Sequence, residues 1–415
     1  MSDEFKIKRR GSKIYRRNRS KTRSPFAMLG MVALVVVLFI VGWYVYPPVY
    51  DLLTGQTPAP SQAEPSQAEP SQSAAEPPAA SSEPELPEQS AAPGLTEVRA
   101  VYAPADLMRD SARLEELARS ASAAGCNAVL FDGKDDTGRV LFRTANEIAT
   151  AAEAVDPAAV DLEQVSALLA RYQMKPAVRL HVYQDHLASA ADSDMAVKYN
   201  GQELTWLDNY ANQGGRPWLN PYSKAAQDYN IALALECAQK GAALVVADSV
   251  QFPNTIGKEL ATYGDTGGKS RAQVLGEFVQ RLDQALAGEQ SRLAVATPGT
   301  VLLGQEGFDY LGEPGAYQCA IAVNIMPSFF AKQPSSSALA PVMNPGDTVA
   351  TAVKGINEGG AKALIPYVQA YTDTDIPADK NKQYTKEDVQ AQIDALAALG
   401  VKEYILYSPQ GTYPW

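Results

Sequence analysis

From Glu97 onward, short apolar runs alternate with segments whose apolar positions recur every three or four residues. The first kind reads as strands buried on both faces, the second as helices that cover them. Val98–Ala103 is the first predicted strand, followed by a helix over Ser111–Ala124. Ala128–Asp132 is the second strand, and Leu162–Tyr172 is a helix with apolar positions at 162, 165, 168 and 169. Strand Pro176–Val182 precedes helix Lys224–Lys240, and strand Ala243–Asp248 precedes a helix near Ala272–Ala287. Leu293–Thr297 and Ala320–Met326 follow as strands joined by a short connection. Helix Thr348–Glu358 leads to strand Ala363–Gln369, and helix Lys386–Leu399 to strand Tyr404–Tyr407.

Eight strands alternating with helices predict an α/β fold, a (β/α)8 TIM barrel over residues 97–415. No Gly-rich phosphate turn follows an early strand, which argues against an open dinucleotide-binding sheet. No eighth helix follows Tyr407, so that seam is expected to be thin or closed by the N-terminal segment.

The first 96 residues have a different character. Residues 1–25 hold ten Lys or Arg against two acids, a net of +8, so the rest of a chain at −11 carries −19. This basic tail abuts 21 uncharged residues, 26–46, rich in Val and Leu and ending in Trp43, Tyr44 and Tyr46. At about 1.5 Å per residue such a helix spans the hydrocarbon core of a bilayer. Basic residues on one side and aromatics on the other predict a single-pass signal anchor, with a cytoplasmic N-terminus and an extracellular body. A cleaved signal peptide would have a shorter apolar part and an Ala-x-Ala-like site, whereas Tyr-Pro-Pro follows here. Residues 47–96 are Pro, Ala, Ser, Gln and Glu, with the pentad Ser-Gln-Ala-Glu-Pro at 61–65 and again at 66–70. That composition predicts a disordered acidic linker. The acidic body excludes nucleic acid as a partner and leaves the lipid bilayer as the partner of residues 26–46. Cys126, Cys237 and Cys319 lack disulfide or zinc spacing and read as small buried hydrophobes.

Catalytic groups of a barrel gather where its strands end. Those ends bring Asp132, Lys134, Asp135, Arg179, His181, Asp248, Gln251, Gln369 and Tyr407 to one mouth. Two carboxylates in different environments are what glycoside hydrolysis needs. Asp248 is the expected nucleophile or base and Asp132 or Asp135 its partner acid, with Arg179 and His181 orienting them. Asp135 in Asp-Asp-Thr-Gly also reads as an ordinary turn residue. The loop from Gln184 to Tyr222 is long and holds Trp206, Trp218 and Tyr222, candidate platforms for the apolar faces of sugar rings. These rings also fit simple packing of the loop onto the barrel. His181 and His186 match no metal-ligand spacing, so no metal and no cofactor is expected.

The chain resembles a family of glycoside hydrolase-like domains of bacterial envelope proteins. The likeness runs through "VRAVYAP", "NAVLFDGKDDTGRV", "KPAVRLHVYQD", "WLNPYSKAAQDYNIALALECAQKG", "ADSVQFP", "NIMPSFF", "IPYVQAY" and "QIDALAALGVKEYILYS". It implies a carbohydrate-active site at Asp132, Lys134, Asp135, Arg179, Asp248 and Gln369. Where the family carries an acid, a Tyr, an Arg and a Trp, this chain has Leu244, Ser249, Gln251 and Tyr407. The expected activity is hydrolysis of a cell-wall or extracellular polysaccharide, including peptidoglycan-type glycan. The alternative is a non-catalytic carbohydrate-binding envelope protein on the same barrel.

Overall fold

The computed structural model describes residues 95–304, 309–333, 340–360 and 363–415. The expected basic tail, the expected anchor and all but the last two residues of the expected linker lie outside these. Among the described residues, no helix is long and apolar enough to cross a membrane.

Eight parallel strands close on themselves. They are β1 (Arg99–Tyr102), β2 (Ala128–Lys134), β3 (Lys175–His181), β4 (Leu244–Asp248), β5 (Arg292–Pro298), β6 (Ala320–Asn324), β7 (Tyr367–Gln369) and β8 (Tyr404–Tyr407). Each pairs with its neighbours in chain order, and β1 completes the ring by pairing with both β2 and β8. The outer helices are α1 (Ser111–Ala123), α2 (Leu162–Ala170), α3 (Lys224–Gln239), α4 (Arg271–Gly288), α5 (Pro345–Glu358) and α6 (Lys386–Ala398). Side chains of Asp110, Asp161, Ser223 and Ser270 accept from free N–H groups in the first turns of α1 to α4, which fixes where these helices begin.

Alternation along the strands separates two cores. Ala100, Leu130, Ala177, Val246, Ala294, Ala322 and Ile405 fill the barrel interior, while Val101, Phe131, Val178, Val245, Val295, Val323 and Leu406 face the helices. With both faces buried, each strand reads as one apolar run. Regular pairing in β7 begins only at Tyr367, because Pro366 has no N–H to give to the ladder. Only an isolated bridge at Leu364 marks the earlier part of the predicted strand.

Among the described residues, the seam after β8 is covered from the C-terminal side. Tyr413 lies over it, its hydroxyl donating to the carbonyls of Tyr102 and Leu406. The turn at Gly411 sits against Pro104 and Leu107, close enough that a Cβ there would meet Pro104 at 2.7 Å.

Two features outside the ring were not expected. Val140–Phe142 turns back antiparallel to the end of β2 and pairs with Val155–Val160. Lys198–Tyr199 pairs with Ala261–Thr262, joining the long loop after β3 to the loop after β4.

Candidate active site at the barrel mouth

The uppermost inward layer of the barrel is charged and aromatic. Arg179 of β3 makes two hydrogen bonds to Asp132 of β2, Nε to Oδ1 at 2.6 Å and Nη2 to Oδ2 at 3.1 Å. The Tyr102 hydroxyl adds a third donor to Oδ2 at 2.8 Å. Asp132 is thus an acceptor on both oxygens, a role suited to holding Arg179 and not to giving up a proton. Arg179 lies over the Tyr102 ring at 5.4 Å, and burial followed by the Asp132 charge pushes the Tyr102 hydroxyl well above its usual range.

Asp248, at the end of β4, is the other carboxylate. Its Oδ2 stands 4.0 Å from Arg179 Nη1, beyond hydrogen-bond reach, while Oδ1 accepts from the Ser249 N–H at 2.6 Å and from its hydroxyl at 3.3 Å. Burial acts to raise its pKa, yet His181, Arg179 and the two Ser249 donors outweigh burial and hold the carboxyl below its usual value. The side chain remains 27% exposed, so a charged oxygen faces open space.

That space is a cavity of about 370 Å³. The small residues Ala296 and Ala322 of β5 and β6 leave it open on one side, and Tyr367, Tyr371 and Tyr407 wall the other. Tyr407 is 4.8 Å from the Tyr102 ring, 6.0 Å from Tyr367 and 6.1 Å from Tyr371, measured between ring centroids. Gln251 also lines the cavity, and among the described residues Asp248 is the one carboxylate that does so. A wider groove of about 630 Å³ lies outside the barrel between α4 and the segment before β6, away from all these groups.

The structure gathers Asp132, Arg179, His181, Asp248, Gln251 and Tyr407 at the mouth. Lys134 is elsewhere. A bulge at Gly133 shifts the register between β2 and β3, so Asp132 stands opposite Arg179 and Lys134 opposite Leu180. The extra residue turns Lys134 outward, where it is fully buried and bonds Asp185 at 2.8 Å and Asn230 of α3 at 2.7 Å, with the Tyr229 ring at 4.8 Å. A substrate has no route to it there. Gly133 is required, since a Cβ would approach Val178 to 2.4 Å.

Asp135 takes its turn reading: one oxygen accepts from the N–H and hydroxyl of Thr137 and from the N–H of Arg139. Gln369 is fully buried and spans two loops, accepting from Ser328 N–H at 2.8 Å and donating to the Tyr371 carbonyl at 2.9 Å. Trp206 and Trp218 offer no open face. They are 1% and 3% exposed, pack on Val197, and donate to the Gly257 carbonyl and Asp208 respectively. Tyr222 packs on Phe252 and Tyr263 and donates to the Lys269 carbonyl. These rings bind the two long loops together. Ser249 and the tyrosines at 102, 367 and 371 complete the mouth in their place. In the sequence Ser249 stands out only as the residue after a strand-ending acid and as a departure from the Tyr of the resembled family.

None of the curated proteins compared with the chain matches it. Among solved structures, the PgaB (BpsB) glycoside hydrolase domain from Bordetella bronchiseptica is similar with a TM-score of 0.53 and 16% identity, over 76% of this chain and 95% of that one. A hypothetical protein from Ruminiclostridium thermocellum is 25% identical over 47% of this chain and 96% of its own, with a TM-score of 0.42. TtGalA, an alpha-galactosidase from Thermus thermophilus, is 11% identical over 76% of this chain and 60% of its own, with a TM-score of 0.47. At these identities the first likeness speaks for the barrel and not for its chemistry. The family model described as "Putative glycosyl hydrolase domain" matches residues 100–413, and the chain belongs to that family.

Proposed function

We propose that the barrel is a glycoside hydrolase acting on a cell-wall or extracellular polysaccharide, held outside the cell by the anchor at residues 26–46. The observation that supports this best is Asp248: a carboxylate held ionised by its neighbours, with one oxygen free, inside a cavity walled by tyrosines. Asp248 is the nucleophile, or the base that activates water. Arg179, fixed by Asp132, keeps it charged, and Tyr371 and Tyr407 are the faces on which a sugar ring lies. Asp132 supports the site and is not the acid partner that a pair of carboxylates would supply.

A second reading is favoured by that same pairing. With Asp248 the one carboxylate among the described residues that lines the cavity, the barrel would bind glycan without cleaving it. The full chain, in detergent or vesicles, is to be incubated with purified peptidoglycan strands and extracellular polysaccharide, and reducing ends and bound glycan both measured. Hydrolysis that Asp248→Asn reduces by two or more orders of magnitude supports the enzyme. Retention of glycan without new reducing ends in wild type leaves the binding reading standing and removes the other.

A further inference from the structure

Among the described residues, Asp248 is the one carboxylate that lines the cavity and Asp132 is tied to Arg179, but the mouth has a histidine joined to Asp248 through one hydroxyl. The imidazole Nδ1 of His181 is 2.9 Å from Ser249 Oγ, and that oxygen is 3.3 Å from Asp248 Oδ1. Nδ1 itself stands 3.9 Å from the carboxylate, too far for a direct hydrogen bond. Ser249 is therefore the bridge.

It is held there at some cost. Ser249 has φ of +53°, a left-handed conformation that a residue with a Cβ seldom adopts. The strand ends hold it in place: the Ser249 carbonyl accepts from Tyr183 N–H and the Asp248 carbonyl from Val182 N–H. Strain kept at a strand end, in a residue whose hydroxyl joins two titratable groups, points to a role for that hydroxyl.

From this geometry we propose that His181 is the proton donor of the site, and Ser249 the positioning residue that couples it to Asp248. The inference rests on the hydrolase reading given above. In the chain, Nδ1–H donates to Ser249 Oγ and the hydroxyl donates to Asp248 Oδ1, which fixes the orientation of the ring. Among the described residues, Nδ1 is the ring nitrogen with a hydrogen-bond partner, and the side chain keeps 15% of its surface exposed; in the proposal Nε2–H is the face turned to the ligand. Among the described residues, the charged groups near the ring are Asp248 at 3.9 Å, Arg179 beside Asp248, and Asp132 behind Arg179, with the phenols Tyr367 and Tyr407 next to that guanidinium.

The step balances without an added reagent. The proton on Nε2 passes to the glycosidic oxygen as the bond from that oxygen to the anomeric carbon breaks, with the electron pair going to the oxygen. Asp248 Oδ2, or a water it deprotonates, forms the new bond at the anomeric carbon, and His181 is left neutral. If Asp248 itself has bonded, water then gives its proton to His181 and its hydroxide to the sugar. If Asp248 has taken the proton of water, that proton returns to His181. Either path restores the site.

A leaving group that needs no proton tests the assignment. The full chain and its His181→Gln variant are assayed on the glycan strand that wild type cleaves and on a panel of 4-nitrophenyl glycosides. The expected loss for His181→Gln is about 100-fold or more on the strand, within the usual range for a lost acid, and about tenfold or less on the nitrophenyl substrate. Ser249→Ala is expected to show the same split to a smaller degree. With two histidines in the chain, 15N-histidine NMR adds a reading free of substrate. His186, whose Nδ1 lies 2.8 Å from the Pro217 carbonyl, serves as the internal reference. Nδ1 of His181 is expected to carry a proton that Ser249→Ala releases to exchange. Equal losses on both leaving groups, or an Nδ1 that accepts its hydrogen bond, overturn the assignment and leave the hydrolase reading intact. Wild type that cleaves neither substrate overturns both.

Discussion

Arg179 faces two carboxylates unequally: it grips Asp132 with two parallel hydrogen bonds and stops 4.0 Å short of Asp248 Oδ2. The first contact fixes the guanidinium, and the second leaves Asp248 influenced but unbound. Arg179→Lys keeps the charge and loses the fork. Loss of the paired contact is expected to cost about 1.5–3 kcal/mol, the worth of a hydrogen bond to a charged group. Urea unfolding of the variant beside wild type measures it.

Asp248 gives a pH dependence whose sign is fixed. Its folded pKa lies below its unfolded value, so its contribution to stability is present above the unfolded pKa of about 3.9 and is lost as pH falls through the lower folded value. Asp248→Asn is expected to flatten the decline of stability below about pH 4. His181→Gln removes one of the groups holding the carboxyl down, so any activity that needs ionised Asp248 is expected to lose its acid limb at a higher pH. Unfolding curves from pH 2.5 to 7, and rates over the same range, decide the matter.

Lys134 and Asp185 form an ion pair with both side chains fully buried. Lys134→Met leaves the Asp185 charge without its partner and is expected to cost about 3–5 kcal/mol. Adding Asp185→Asn removes that charge and keeps an acceptor for the Ala188 N–H that Asp185 now caps. The double variant is expected to be more stable than Lys134→Met alone. A double variant of equal or lower stability would mean that the pair's partners, and not its charge, set the cost.

Ser249 and Gly133 test backbone geometry separately from chemistry. At φ of +53° a glycine is free of the strain that serine bears, so Ser249→Gly is expected to be more stable than Ser249→Ala by about 1 kcal/mol. Gly133→Ala drives a methyl group into Val178 and is expected to destabilise by about 1–3 kcal/mol. Thermal melts of the variants compare the two.

The barrel was legible in the sequence because strands buried on both faces leave unbroken apolar runs, and the helices between them keep a period near 3.6. The acids at the ends of β2 and β4 were legible for the same reason: each is the first polar group after such a run. Lys134 was misplaced because regular alternation puts positions 132 and 134 on one face, and nothing local in Phe-Asp-Gly-Lys marks the bulge as a change of face. Trp206 and Trp218 show an ordered loop, but an aromatic ring that packs a loop has the same spacing as one that offers it to a ligand. Ser249 depends on a backbone angle and on a histidine 68 residues away, and neither leaves a mark on its neighbours in the chain.

The alanines at 296 and 322 have a consequence for how such a site changes over time. They touch the cavity but take no part in the network that joins Asp132, Arg179, Asp248, Ser249 and His181. Each added methyl or branch there would narrow the accepted ligand by a small volume and leave the charged groups where they are. Descendants of this barrel could therefore change what they accept through single substitutions on β5 and β6, with the reacting groups inherited whole.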